Sequence, residues 1–178
     1  MPTGCWTWRE NFRSESVQII LLTHEREMAR PSNTGQLVLS AVSEVGVSAE
    51  RLAWRRTEPD KTLLSILGSP CTGLVYPDTE TAGTPYKALG IETCERFILL
   101  DATWQEARKM YNRSPYLHAV SRVTLNSARG SRYRLRRNQK KEGLCTAECV
   151  VEILRSKGRK ELADRLEEQF IQFNVAGG

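Results

Sequence analysis

A chain of 178 residues with 40% hydrophobic and 26% charged side chains has room for one domain with its own core and the make-up of an ordinary globular protein. Its longest apolar run, Ile19-Ile20-Leu21-Leu22, is strand-sized, and residues 1–15 lack an apolar h-region, so neither a membrane span nor a signal peptide is expected and the cytoplasm is the expected location. The net charge of +5 is unevenly spread: residues 104–141 hold eleven Lys and Arg against one acid, Glu106, a concentration that suits a phosphate backbone.

In chain order, residues 1–15 read as an N-terminal extension and residues 16–178 as a single domain. Residues 16–23 (SVQIILLT) predict a strand buried on both faces. A polar loop, His24-Glu25-Arg26-Glu27, follows. Ser32-Asn33-Thr34-Gly35 can start a helix, and residues 36–45 place Leu37, Val38, Ala41, Val42 and Val45 at helical spacing. Residues 50–55 predict a short strand. Glu58-Pro59-Asp60 opens a helix with Leu63, Leu64 and Leu67 on one face, ended by Gly68-Ser69-Pro70. Residues 73–76 (GLVY) predict a strand that stops at Pro77. Residues 78–90 are loop-like and long enough to suggest function. Residues 96–101 (RFILLD) predict another buried strand, followed by a helix over 103–111 with Thr103 as its cap. A short strand over 122–125 leads into a polar, basic stretch, 127–141. The spacing then predicts a helix over 146–157, with Cys149, Val150, Ile153 and Leu154 inward, a break at Gly158 and an amphipathic helix over 159–173. Strands alternating with helices imply an α/β fold, with a largely parallel sheet and helices on both faces. Ligands of such sheets lie beyond the carboxyl ends of strands, here Thr23-His24, Tyr76-Pro77 and Asp101-Ala102.

Asp101 stands at the end of an apolar strand and before a helix. A carboxylate there can act as a general base or receive a ligand's amine or hydroxyl. It can equally cap the helix or pair with a buried Arg. Trp104 can stack on an aromatic ligand or serve the core. Neither Gly-x-Gly-x-x-Gly nor a P-loop is present. His24 lies with Glu25 and Glu27 at a strand end, which suits structure or RNA contact as well as catalysis; His118 has no partner near it in sequence. Residues 131–137 (SRYRLRR) interleave Tyr133 with Arg132, Arg134 and Arg136, which suits phosphates and stacked bases, or an edge strand with its arginines on one face. The five cysteines (Cys5, Cys71, Cys94, Cys145 and Cys149) form no Cys-x-x-Cys. Cys145 and Cys149 share a helix face with no third or fourth ligand nearby, so reduced thiols are expected and no metal.

Several of these segments, in order, resemble the DTW-domain family of tRNA-uridine aminocarboxypropyltransferases, over roughly residues 17–154. They are His24-Glu25, Asn33-Thr34-Gly35, Leu74-Val75-Tyr76-Pro77, Leu100-Asp101-Ala102-Thr103-Trp104-Gln105 with Ala107-Arg108-Lys109-Met110, Ser114-Pro115, the Arg132–Arg136 stretch, and Leu144-Cys145-Thr146-Ala147-Glu148. The resemblance implies a fold related to the SPOUT class, knotted near its C-terminus, that holds S-adenosylmethionine. It implies transfer of the 3-amino-3-carboxypropyl group to N3 of a tRNA uridine with release of 5′-methylthioadenosine. Asp101 would then be the catalytic residue, taking the N3 proton or holding the donor's amino group. Leu74, Tyr76, Pro77, Leu100, Thr103, Trp104, Leu144, Cys145, Thr146 and Glu148 would surround the donor. His24, Arg108, Lys109, Arg132, Arg134 and Arg136 would meet tRNA. The N-terminal cysteine cluster of many members is reduced here to Cys5, and Cys145 stands where Ser is common, so no metal site is carried over. The alternatives are a SPOUT-type RNA methyltransferase, an aminocarboxypropyltransferase acting on ribosomal RNA, and a non-catalytic RNA-binding domain. Phosphate binding alone needs neither Asp101 nor Trp104, which weighs against the last. Monomer and homodimer are both compatible with the sequence.

Overall fold

The computed structural model describes residues 16–77, 85–125 and 143–177. Its first half runs β1 (Val17–Thr23), a 3-10 turn (Glu25–Glu27), α1 (Gly35–Ala41), β2 (Ser43–Glu44), β3 (Val47–Ala53), α2 (Lys61–Leu67) and β4 (Thr72–Val75). Then follow β5 (Arg96–Asp101), α3 (Trp104–Asn112), α4 (Pro115–His118), β6 (Ser121–Val123), α5 (Thr146–Ser156) and α6 (Lys160–Ala176).

The apolar alternation in β1 and β5 dictates a sheet covered on both sides. Val17, Ile19 and Leu21 of β1, with Phe97 and Leu99 of β5, enter one core with α1, α5 and α6. Ile20, Leu22 and Ile98 enter the other, with Leu63 of α2, Met110 and Tyr111 of α3 and Leu117 of α4. The sheet order is β2-β3-β1-β5-β4-β6, parallel except for β2 against β3. This is the single α/β domain with a largely parallel sheet that the strand–helix alternation predicts. From β1 the chain moves outward to β3, and from β5 it moves the opposite way, to β6. The two strands are neighbours, so their connections diverge at the carboxyl ends, the position where sheets of this topology bind ligands. Thr23 lies in register with Asp101 at that point.

Several details differ from the sequence expectation. The helix predicted to Val45 stops at Ala41. Val42 leaves helical geometry, and β2 turns back through Gly46 at φ 81 into β3, leaving Val45 exposed at the tip. β3 consequently starts at Val47, earlier than predicted. On α2, Leu63 is buried, but Leu64 is 48% exposed because one residue turns a helix by a quarter or more of a circle. The short α4, opened by Pro115 at its first turn, was not predicted. The knot implied by the resemblance turns on the path of residues 126–142, which lie outside the described residues, as do Arg132, Arg134 and Arg136. No described helix is long and apolar enough to cross a membrane.

Both sheet margins are short. At one, Glu44 of β2 meets Arg165 at 2.9 Å and Arg159 at 3.8 Å. At the other, Arg122 of β6 donates its N–H to Lys87 O and accepts from Leu89 N, each at 2.8 Å. Between β5 and β6, Gly73 leaves no room for a side chain: a Cβ there would sit 2.5 Å from Val123 Cγ2 and 3.1 Å from Cys94 Sγ.

Burial pushes the Cys94 thiol up to about 12, and the Cys149 thiol likewise to about 12. An unfolded chain gives up these protons near 9, so between those values the unfolded state binds fewer protons than the native one and stability falls as pH rises. Urea midpoints are expected to drop from pH 9 upward, and less steeply in a Cys94→Ala/Cys149→Ala double variant. Parallel curves for the two proteins would refute the assignment.

Candidate active site

β1 ends at Thr23 and β5 at Asp101, side by side, and the loop after β1 folds back over both. His24 Nδ1 accepts from Arg26 N at 3.2 Å and caps the 3-10 turn. That turn drives Glu27 fully into the interior, where Oε1 meets Arg30 Nη1 at 2.8 Å and Oε2 accepts from Asn33 Nδ2 at 3.3 Å. The same Asn33 amide donates to Asp101 Oδ1 at 3.1 Å and Oδ2 at 3.0 Å, and its Oδ1 accepts from Arg51 Nη2 at 3.0 Å. Asn33 thus uses every polar atom it has.

Asp101 is 2% exposed. Its Oδ2 accepts from Thr23 Oγ1 at 2.9 Å, and its Oδ1 accepts from Thr146 Oγ1 at 2.9 Å. Arg51 Nη2 lies 3.7 Å from Oδ2, a part-buried counter-charge brought by β3. A buried carboxylate needs such a set, since each missing partner leaves a desolvated charge. The bond from Thr146 ties the first turn of α5 to the end of β5. Ala147 N donates to Thr34 Oγ1 at 3.2 Å, which ties that turn to the loop before α1. The α5 terminus itself carries a capping box, in which Cys145 N donates to Glu148 Oε2 at 2.9 Å. Burial raises the Cys145 thiol well above its ordinary value, with the Glu148 charge adding to the effect.

Asp101 does not cap α3. Thr103 does: its Oγ1 accepts from Glu106 N at 3.3 Å and donates to Glu106 Oε2 at 3.0 Å. One residue on, Trp104 is half-buried and stacks on Tyr76 with ring centroids 5.8 Å apart. Tyr76 stacks in turn on Tyr111 at 4.7 Å. The buried Arg122 guanidinium lies over Tyr76, Tyr86 and Tyr111 at 5.2, 4.6 and 4.9 Å from their centroids, and donates to the Tyr111 hydroxyl. Trp104 is therefore the outer rung of an aromatic column anchored in the core.

Of the residues predicted for the site, Thr146 bonds Asp101 directly and Cys145 and Glu148 complete the same helix start, whereas Leu100 and Trp104 pack with the buried Tyr76 on the α2–α3 core. Pro77 is exposed at the end of β4. The Leu74 side chain is wholly buried in the α2–α3 core, so any ligand contact there would have to come from its backbone. His24 stacks on Trp54, with centroids 5.4 Å apart. Arg108 and Lys109 lie on the exposed side of α3. Sequence reasoning named Thr23 and Glu27 only as parts of a strand end, and missed Arg51. A usable signal existed for Arg51 alone: a cation inside a strand of a sheet covered on both faces asks for a buried anion.

Comparison with known proteins gives a consistent result. The DTW domain matches residues 1–176. The chain is 30% identical over 163 residues to tRNA-uridine aminocarboxypropyltransferase 2 of Drosophila melanogaster, an alignment covering 84% of this chain and 61% of that protein. The chain thus spans about three-fifths of the length of that relative. No solved structure matches. With nearly its whole length matched, the chain belongs to the DTW domain family.

Proposed function

We propose that this protein transfers the 3-amino-3-carboxypropyl group of S-adenosylmethionine to N3 of a uridine in tRNA, releasing 5′-methylthioadenosine, in the cytoplasm. The observation that carries this reading is the meeting of Asn33-Thr34-Gly35, Asp101 and Thr146 at the switch point. These are the residues on which the family resemblance rests, drawn from three distant stretches of chain. The similarity to a tRNA-uridine aminocarboxypropyltransferase supports the same chemistry.

The site suits the donor's chemistry. Leu100, Thr103, Trp104, Leu144, Cys145 and Thr146 are half-buried, offering apolar and backbone surface for an adenosyl group. The Asp101–Arg51 pair offers opposite charges for an amino-acid end. The bound donor supplies a carbon already activated by its sulfonium, so positioning rather than leaving-group assistance is what the protein must provide. Asp101 already accepts from Thr23, Asn33 and Thr146. It reaches a substrate proton or ammonium by exchanging one of these, and the half-buried Thr146 is the partner nearest solvent. Arg108 and Lys109, with the 132–136 arginines, hold tRNA phosphates.

The test is product analysis after incubation with donor and tRNA. Methylthioadenosine release with an aminocarboxypropyl gain on tRNA uridine is the expected result. S-adenosylhomocysteine would mean methylation, a gain on ribosomal RNA alone would mean a different substrate, and tRNA binding without either product would mean a binder.

A further inference from the structure

We infer a second RNA-contacting surface, a stacked His24–Trp54 pair ringed by Arg55, Arg56 and Arg113, beyond the carboxyl ends of β1 and β3. It rests on the reading that the partner is tRNA.

The surface is assembled by contacts no sequence window shows. Trp54 N donates to Thr23 O at 2.9 Å, which extends the β1–β3 ladder by one residue and sets Trp54 directly beside His24. Trp54 Nε1 donates to Ser114 Oγ at 2.8 Å, and Tyr116 Oη donates to Arg55 O at 3.0 Å. The loop after β3 is thereby pinned against the turn between α3 and α4. These two bonds bring the chain at Arg55-Arg56 to the segment in which Arg113 immediately precedes Ser114. All three are exposed, and none makes an ion pair among the described residues. Arg26, with a side chain 76% exposed, continues the basic rim towards α3, where Glu106 lies 3.9 Å away. Glu25 and Glu58 are the exposed acids of these loops, so cations predominate.

Unpaired arginines repel one another, and a fold gains nothing by gathering three of them; a polyanion relieves the repulsion. The aromatic pair discriminates among polyanions. Trp54 and His24 are both half-buried, held rigidly at one edge and open at the other. A rigid ring pair among phosphate-binding cations suits an unpaired base and its flanking backbone. An acidic polypeptide has no use for the rings. The patch borders the Asp101 site at the shared β1 end, so one RNA can reach both: a base held at Trp54 would fix the register of the nucleotide presented at Asp101.

The experiment is tRNA binding by the full chain without donor, read as affinity against salt concentration. Each phosphate contact adds about 0.7–0.9 to the slope of log affinity on log salt. Arg55→Ala/Arg56→Ala/Arg113→Ala is expected to weaken binding about tenfold at ~0.1 M salt and to flatten the slope by about two. Because the three side chains are exposed, its thermal midpoint should match the parent's. The corresponding triple Lys variant should recover the slope. Trp54→Leu should weaken binding to a tRNA with unpaired loops more than binding to a plain RNA duplex, and Trp54→Phe should recover it. The inference is overturned if the triple Ala variant binds tRNA as the parent does, if the parent binds no tRNA, or if polyglutamate displaces tRNA at matched charge. The readout is separate from turnover: a parent that binds tRNA through this patch yet releases no methylthioadenosine would sink the proposed reaction and leave this surface standing.

Discussion

Asp101→Ala is expected to abolish transfer and to lower stability together, and the second effect decides how the first is tested. The substitution takes the shared acceptor from Thr23, Asn33 and Thr146 and leaves the part-buried Arg51 without its counter-charge. Breaking a fully buried pair from one side costs about 3–5 kcal/mol, and the loss here approaches the lower end because Arg51 keeps some solvent contact. Against a total stability of about 5–15 kcal/mol for a domain, that brings the protein near its threshold. A dead Asp101→Ala protein would therefore say little about chemistry. Asp101→Asn is the sharper variant. It keeps the shape and one acceptor oxygen but turns an amide N–H₂ towards groups that themselves donate. The expected result is a folded protein with a lower thermal midpoint, near-parental tRNA affinity and turnover reduced about 10²-fold or more. Parental turnover from Asp101→Asn would remove the charge from the mechanism and leave Asp101 as a scaffold residue only.

Gly35→Ala is expected to do comparable damage with a single methyl group. A Cβ at Gly35 would sit 2.8 and 2.9 Å from the two carboxylate oxygens of Asp101 and 2.9 Å from Asn33 Oδ1. Backbone strain plays no part, since Gly35 is not among the positive-φ glycines. The effect is steric, and the groups in the way can yield only by giving up hydrogen bonds: Asp101 is held from three directions and Asn33 from three more. Overpacking of this kind costs about 1–3 kcal/mol, a loss of roughly 2–4 °C in Tm per kcal/mol for a chain of this size. The carboxylate must also shift, which breaks the Thr146 bond and frees the first turn of α5. The KM for the donor should therefore rise about tenfold or more, along with the fall in Tm, an estimate that sets a displaced binding group at about 1.4 kcal/mol. Gly68→Ala is the control. Nothing lies within 4 Å of a Cβ there, so Tm should be unchanged or slightly raised. A Gly35→Ala protein with parental Tm and donor KM would mean that the site is softer than these distances allow.

The central strands, the cap on α3 and the strand-end position of Asp101 were legible because each is a local pattern: apolar residues on both sides, a Thr at the start of a helical period, a carboxylate where the pattern changes. The partners of Asp101 were not legible. Thr23, Asn33, Arg51 and Thr146 lie 78, 68, 50 and 45 positions away and meet only through β1–β5 register, the loop before α1 and the return of α5. Asn33-Thr34-Gly35 was visible as a family motif, but the reason for its glycine is a close approach that only three dimensions reveal. The overlong helix at residues 42–45 has a different cause. Val42 and Val45 fit both a helical period and a tight hairpin, and Gly46 decides for the hairpin. Trp54 and Arg55 escaped notice because the basic character of the sequence is concentrated in residues 104–141, and these two join it only across the fold.

The short margins of the sheet bear on how copies of this protein meet. A parallel sheet with an open outer strand invites another chain to extend it, backbone to backbone. Here one outer strand is two residues long and is flanked by the ion pairs of Glu44 with Arg159 and Arg165. The other has its backbone groups taken by Lys87 and Leu89. Among the described residues, little backbone is left at either side to template a neighbour. Strand-by-strand growth, the usual route from a misplaced sheet to an aggregate, meets a blunt end on both sides of the described sheet.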